Sequence, residues 1–390
     1  MRPTLRDSRR PKPTQAVPLV DLGATNRALK QVVLERIGQM IDRGDFTNGQ
    51  AVAEFEQRFA AHSMRRHCVG VASGLDALRL SLIASGLARG ARVIVPAMTF
   101  AATFEAVLQA GGTPVVVDVS DADYNVDVHE AKRAAHNATH IVPVHLYGQM
   151  ADMRALSSVA QAHTLEIIED ACQAHAAQRD GLRAGGVGRA AAFSFYPTKN
   201  LGAMGDAGAL VTNDDDLAAQ TRALRLHGEM GKYHHEYVGY TARLDTIQAI
   251  VLLEKLSLLE EWNRQRRAAA SFYDAALADV DDLRLPPRPS GSQQVWHLYV
   301  VRTSNPKGLA DFLAGHGVQT GRHYPEPPHL SPAYRSLGFG PGDFPVAEAL
   351  AREGVSLPLY PGITEAQLES VCNGVHAYFA TGERQRVGSG

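Results

Sequence analysis

The chain has 390 residues, 45% of them hydrophobic and 21% charged, with a formal net charge of −2. That length suffices for two domains, or for one large and one small, and the near-neutral balance gives no reason to expect nucleic acid or an anionic membrane as partner. No stretch reaches the ~20 apolar residues of a spanning helix, and three scattered cysteines, Cys68, Cys172 and Cys372, argue against zinc or disulfides and fit a cytoplasmic location.

Residues 1–18 carry Arg2, Arg6, Arg9, Arg10 and Lys12 among prolines. They lack the apolar core of a secretory signal and are expected to form a disordered N-terminal arm. From about residue 65 to 212, short apolar runs alternate with helix-like segments. The expected strands are Cys68–Ala72, Arg92–Pro96, Thr113–Val119, His140–His145, Leu165–Glu169, Ala190–Phe195 and Gly208–Thr212. Most are too continuously apolar for a half-solvated sheet. Segments such as Leu75–Ser85 and Met150–His163 place apolar residues at helical spacing. The alternation predicts an α/β domain with a mostly parallel seven-stranded sheet and helices on both faces.

A long helix is expected over Leu244–Trp262, followed by the charged run Asn263–Arg267. Composition turns Pro-rich around Pro286–Pro289, and a second region begins there. It has a strand-like Val295–Val301, a helix near Lys307–Ala314 and a Pro-rich stretch at 325–332. These features divide the chain into a large domain over 19–264, a smaller C-terminal α+β domain over 265–380 and a disordered tail at 381–390. The cluster Lys232–Tyr237 holds adjacent histidines, but no carboxylate or cysteine at ligand spacing supports a metal.

Catalytic groups in such sheets gather beyond the carboxyl ends of the strands, where Asp170 and Lys199 both fall. A lysine amine that condenses with an aldehyde, and a carboxylate that keeps a pyridine nitrogen protonated, are what pyridoxal phosphate needs from a protein. Two further features accompany them. The turn Ala72-Ser-Gly-Leu-Asp-Ala-Leu78 offers backbone N–H groups to a phosphate at a helix start, with Gly74 permitting close approach. Phe100, just past a strand end, can stack on an aromatic cofactor. Gln173 can lie over such a ring or reach its phenolic oxygen, and Ser194 can add a phosphate hydrogen bond. Singly, each has a plainer reading: a capped helix, a core phenylalanine, an Asp at an N-cap, a solvated lysine. Their order and context together favour the pyridoxal-phosphate reading.

The segments Glu169-Asp-Ala-Cys-Gln-Ala-His175, Phe193-Ser-Phe-Tyr-Pro-Thr-Lys-Asn-Leu-Gly202 and Arg243-Leu-Asp with Gln248-Ala249 resemble the nucleotide-sugar aminotransferases of the DegT/DnrJ/StrS group. The similarity runs from about Phe46 to Pro361. It implies the aspartate-aminotransferase type I fold, with Lys199 as Schiff-base lysine, Asp170 as pyridinium partner and Phe100 as a stacking residue. It implies Gln173 as a cofactor contact, and Gly74, Leu75 and Ser194 around the phosphate.

Ser73–Leu78 with His145-Leu-Tyr-Gly-Gln149 is similar to enzymes that aminate carbon 3 of dTDP-linked 3-oxo-6-deoxyhexoses from L-glutamate. Carbon-4 or cyclitol amination is the alternative; Lys199 counts against a pyridoxamine-dependent sugar dehydratase, which usually has histidine there, and Lys199, Asp170 and Gln173 together count against a non-catalytic regulatory binding protein. The segment Arg322–His329 resembles the family's sugar-pocket edge, which makes His323 and Tyr324 candidate substrate contacts; a loop held by prolines is the plainer reading. The family's Asn-Ser before Arg243 is here Thr241-Ala242, so Thr241 is carried over as the phosphate contact from a neighbouring subunit of an expected homodimer.

Overall fold

In the computed structural model, which describes residues 16–380, seven strands form one sheet. Its order is His67–Val71, Gly208–Thr212, Ala190–Ser194, Glu166–Asp170, His140–Ile141, Arg92–Pro96 and Thr113–Val117. Only Gly208–Thr212 runs against its neighbours; the other pairings are parallel. Alternate residues enter two separate cores. Ile167, Ala191 and Val211 pack on one face, and Ile168, Ala192 and Leu210 on the other. Burial on both faces is why the strands are apolar without alternation.

A third core holds the smaller unit. Antiparallel strands Tyr299–Arg302 and Gly354–Leu357 pack with the helices Pro306–Gly315 and Glu365–Ala380 and with Tyr273 of Leu259–Ala276. Residues 1–15 of the expected arm and the tail at 381–390 lie outside the described residues. Val17 belongs with the small unit: it is 1% exposed and bridges Val318.

Three expected elements differ from those observed. The strand expected to His145 is regular only to Ile141, because Pro143 has no N–H to donate to the ladder. Its carbonyl still accepts from Asp170 N. Of Val295–Val301, only the end from Tyr299 is strand. Its earlier part bonds instead to a loop, Val295 N to Gly148 O and Leu298 N to Tyr147 O. The long helix is two helices, Thr246–Leu256 and Leu259–Ala276. At the break Ser257 Oγ donates back to Glu254 O, a local bond that competes with helix continuation. The second helix runs unbroken through the charged run and across 264/265, with Asn263 donating to His175 O and Tyr273 packed in the third core.

Close packing at the start of the helix Gly74–Ala84 determines where small residues are needed. A Cβ on Gly74 would lie 2.6 Å from Ser194 Cβ and 2.8 Å from Cys172 Sγ, and one on Gly208 would strike Ser73 O and Gly74 N. Gly208→Ala is therefore expected to cost about 1–3 kcal/mol in urea denaturation. Gly38→Ala, inside the helix Lys30–Arg43 with nothing near its Cβ position, is expected to stabilise by about 0.5–1 kcal/mol.

Candidate active site

Asp170 ends its strand opposite Ala192, and the chain leaving the neighbouring strand at Ser194 turns back to present Lys199. That return loop is pinned at several points. Asn200 Nδ2 donates to Asn263 Oδ1 and Val295 O, each at 2.8 Å, and Lys255 Nζ donates to Gly202 O at 2.6 Å. Asp170, 7% exposed, is oriented by Thr103 Oγ1 at 2.8 Å and by the backbone N–H of Cys172 at 3.2 Å. Thr99 Oγ1 lies 2.7 Å from Thr103 Oγ1 and extends this hydroxyl pair.

Lys199 is half-buried by exposed area and lines a cavity of about 400 Å³. Burial lowers its pKa from the ordinary value, against the opposing pull of Cys172 and Asp170. Its Nζ lies 3.5 Å from Nε2 of buried His297. Burial, with Lys199 and Arg266 nearby, holds His297 well below its ordinary value, so the imidazole is neutral at pH 7. A partly desolvated amine beside a neutral acceptor is suited to nucleophilic and proton-transfer chemistry.

Gly74, Leu75, Phe100, Asp170, Gln173, Ser194, Lys199, His323 and Tyr324 all line this cavity, so nine of the ten residues singled out from the sequence are gathered there. Thr241 is not among the lining residues. It is exposed, and its hydroxyl lies 3.2 Å from His227 Nε2. Gln173 is held at both ends, accepting from Tyr147 N at 2.7 Å and donating to Tyr324 OH at 3.1 Å. Tyr147 OH donates to His323 O, and His323 Nδ1 lies 2.8 Å from Ser356 Oγ. Phe100, 54% exposed, has its ring centroid 5.4 Å from that of Tyr324.

These residues fit pyridoxal phosphate. Ser73 caps the helix start through Asp76 N; Gly74 and Leu75, whose first-turn N–H groups have no partner within the helix, line the cavity together with Ser194. The bare Gly74 keeps that turn against Ser194 and the strand end. Lysine, carboxylate and phosphate cradle thus share one cavity. Among the described residues no group of three potential ligands could hold a metal, and no helix is long and apolar enough to cross a membrane.

Sequence reasoning missed Thr103, His297, Arg266 and Glu169. Thr103 stands three residues beyond Phe100 and was given no role, and His297 and Arg266 sat in stretches read as a strand and as a charged run. Glu169, fully buried, accepts from His145 Nε2 at 2.9 Å and from the N–H groups of Gly185, Val187 and Gly188 at 2.6–2.8 Å. Burial pushes its pKa up, but these bonds, His145 foremost, win and hold it below the usual value.

The DegT/DnrJ/EryC1/StrS aminotransferase family model matches residues 28–376. The chain is 44% identical over 356 residues to the erythromycin biosynthesis sensory transduction protein EryC1 of Saccharopolyspora erythraea, covering 91% of this chain and 97% of that one. It is 42% identical to the dTDP-3-amino-3,4,6-trideoxy-alpha-D-glucose transaminase of Streptomyces venezuelae, covering 94% and 97%. Among solved structures, S. venezuelae DesV in complex with a ketimine intermediate superposes with a TM-score of 0.91 at 41% identity, covering 94% and 99%.

Glu169 generates a pH prediction. Its depressed pKa contributes stability above the ordinary carboxylate value of ~4.3, which is lost as pH falls through the lower folded value. Glu169→Gln is expected to cost about 3–5 kcal/mol at pH 7. Urea titrations repeated below pH 4 should find the gap to wild type narrowed; a constant gap would assign the loss to packing alone.

Proposed function

The chain belongs to the DegT/DnrJ/EryC1/StrS aminotransferase family, and from that premise we propose that it moves the amino group of L-glutamate to carbon 3 of a dTDP-3-oxo-6-deoxyhexose. The observation that carries this reading is the placement of the Lys199 amine and the Asp170 carboxylate in one cavity, below a helix start open to a phosphate. The named S. venezuelae transaminase, whose product is a dTDP-3-amino sugar, supports the choice of carbon. One relative bears a sensory-transduction name, but this chain carries lysine, carboxylate and glutamine together, as turnover requires and a purely regulatory binder does not. Such an activity serves deoxyamino-sugar synthesis for antibiotics or surface polysaccharides.

Pyridoxal phosphate supplies an aldehyde for the amine and a ring that accepts electrons when its nitrogen is protonated. Lys199 would hold it through its amine and, when that amine is free, would take the proton from the donor's α-carbon as base and give it back as acid. Burial lowers the pKa of the amine from its ordinary value, in the direction that favours its base form. Asp170 would hold the proton on the ring nitrogen, and Thr103 and the Cys172 N–H fix its carboxylate for that role. Gly74, Leu75 and Ser194 bind the phosphate. Phe100 would pack on the ring, and Gln173, bonded to Tyr324 OH, would tie the cofactor side to the sugar side. His323 and Tyr324 meet the sugar. Thr241, outside its own chain's cavity, reaches the phosphate of a second copy in a homodimer.

Lys199→Ala is expected to abolish turnover and the cofactor's visible absorbance; multiple turnover by this variant would remove the lysine from its role. Asp170→Asn should retain cofactor yet slow α-proton removal by at least about a hundredfold, read by stopped-flow absorbance with L-glutamate. Incubation with 3-oxo and 4-oxo dTDP-6-deoxyhexoses, and location of the new amine by NMR, tests the carbon. An amine at carbon 4 alone would replace this assignment with its alternative.

A further inference from the structure

The backbone around His297 is held from two sides. Trp296, just before it, has a positive φ of 49°. On one side the loop at Tyr147–Gly148 presses close: Val295 N donates to Gly148 O, and a Cβ on Gly148, itself at a φ of 91°, would lie 2.8 Å from His297 N. Only glycine permits that approach. On the other side Arg266 Nη1 donates to the carbonyls of Trp296 at 3.1 Å and His297 at 3.4 Å. Every one of these contacts is made by the main chain at 295–297, so none of them occupies the imidazole.

The ring is 7% exposed, with Nε2 3.5 Å from Lys199 Nζ and Nδ1 buried without a partner. Nothing behind the ring fixes which nitrogen carries its proton; the lysine in front does. Among the described residues no other group hydrogen-bonds the Lys199 amine. The charged or titratable neighbours of the ring are Lys199, Arg266, His323 and His175, all bases that oppose a second proton on it. A carboxylate in this place would favour the ammonium form of the lysine and remove the base. A neutral imidazole restrains the flexible four-carbon stem of the lysine with less effect on its charge.

We propose that His297 is a positioning residue for the reaction: its Nε2 accepts a hydrogen bond from the untethered amine of Lys199 and aims the lone pair of that amine into the cavity. This rests on the aminotransferase reading above. His297 acts through Lys199 and itself takes no proton from the donor.

The experiment sets His297→Leu, which keeps bulk and loses the acceptor, beside His297→Gln, which keeps an acceptor. With pyridoxal phosphate bound and L-glutamate added, stopped-flow absorbance should find α-proton removal slowed at least about thirtyfold in His297→Leu and within about fivefold of wild type in His297→Gln. KM for glutamate should change by less than about threefold in both, and α-deuterated glutamate should give a larger isotope effect on kcat in His297→Leu than in wild type. A second readout needs no turnover. In protein loaded with pyridoxamine phosphate, where the lysine is untethered, competitive acetylation followed by mass spectrometry titrates Lys199. An acceptor favours the charged donor, so His297→Leu should lower the pKa of Lys199 by about half to one unit, and His297→Gln should restore it. Unchanged proton removal in folded His297→Leu would overturn the proposal, as would equal losses in the two variants. If neither variant folds, nitrogen NMR with isotope-labelled histidine decides. With pyridoxamine phosphate bound, one Nε2 signal should move between wild type and Lys199→Ala, and no movement would overturn the contact. Wild-type enzyme that accepts an amino group from no α-amino acid would sink the aminotransferase reading, and the catalytic use of this contact with it; the titration of Lys199 separates that failure from loss of the contact itself.

Discussion

The register that sets Asp170 beside Ala192 fixes the geometry on which the site depends. Two neighbouring parallel strands end at the same edge of the sheet, so the carboxylate from one and the return loop from the other open into one cavity. Side-chain direction alternates along a strand, and a slip of one residue would send Asp170 to the far face. Ala190 and Ala192, poor strand formers by composition, face the core that holds the helix Gly74–Ala84, and their small side chains let that helix lie close to this strand. Gly74 against Ser194 and Gly208 against Ser73 complete that fit. Phosphate cradle, carboxylate and lysine are thereby positioned by a single packed layer.

Adjacent acids on one strand meet opposite environments. Glu169 turns to the face where three backbone N–H groups and His145 await it, and is structural. Asp170 turns to the cavity, where Thr103 Oγ1 and the Cys172 N–H donate to it, which leaves its carboxylate with capacity to accept a further hydrogen bond from a protonated ring nitrogen. The bonds on Glu169 tie the loop at 185–188 to the strand end, so the neighbour's geometry is held without any ligand.

The sheet was legible because its strands are short, buried on both faces and separated by helices of ordinary length; their apolar runs mark them directly. The local motifs were legible because their chemistry is concentrated in a few consecutive residues, as around Asp170 and Lys199. What escaped was set by tertiary contacts. Pro143 interrupts a ladder whose apolar run continues past it, and Trp296 takes a positive φ of 49° that directs its neighbour His297 into the cavity instead of along a strand. Arg266 stands in a run of charges that looks solvated, yet the Leu259–Ala276 helix carries one face of that run inside. Periodicity alone does not say which of two adjacent arginines is buried; Arg266 is and Arg267 is not.

Charge around the cavity is unevenly distributed. Its lining contains one lysine and one arginine, Lys199 and Arg266, linked through His297 and both apart from the phosphate cradle. The cradle offers a dianion N–H groups, a helix end and the Ser194 hydroxyl, while Asp170 and Asp206 add two carboxylates to the same lining. A helix terminus interacts favourably with an anion by about 0.3–1 kcal/mol at exposed sites and up to ~2 kcal/mol when partly buried, far less than a covalent bond supplies. On the proposed reading, then, the tether to Lys199 and the contact with Asp170 retain the cofactor, and the phosphate end mainly orients it. Thr241 from a second copy would contribute another neutral donor, refining that orientation without changing the charge balance.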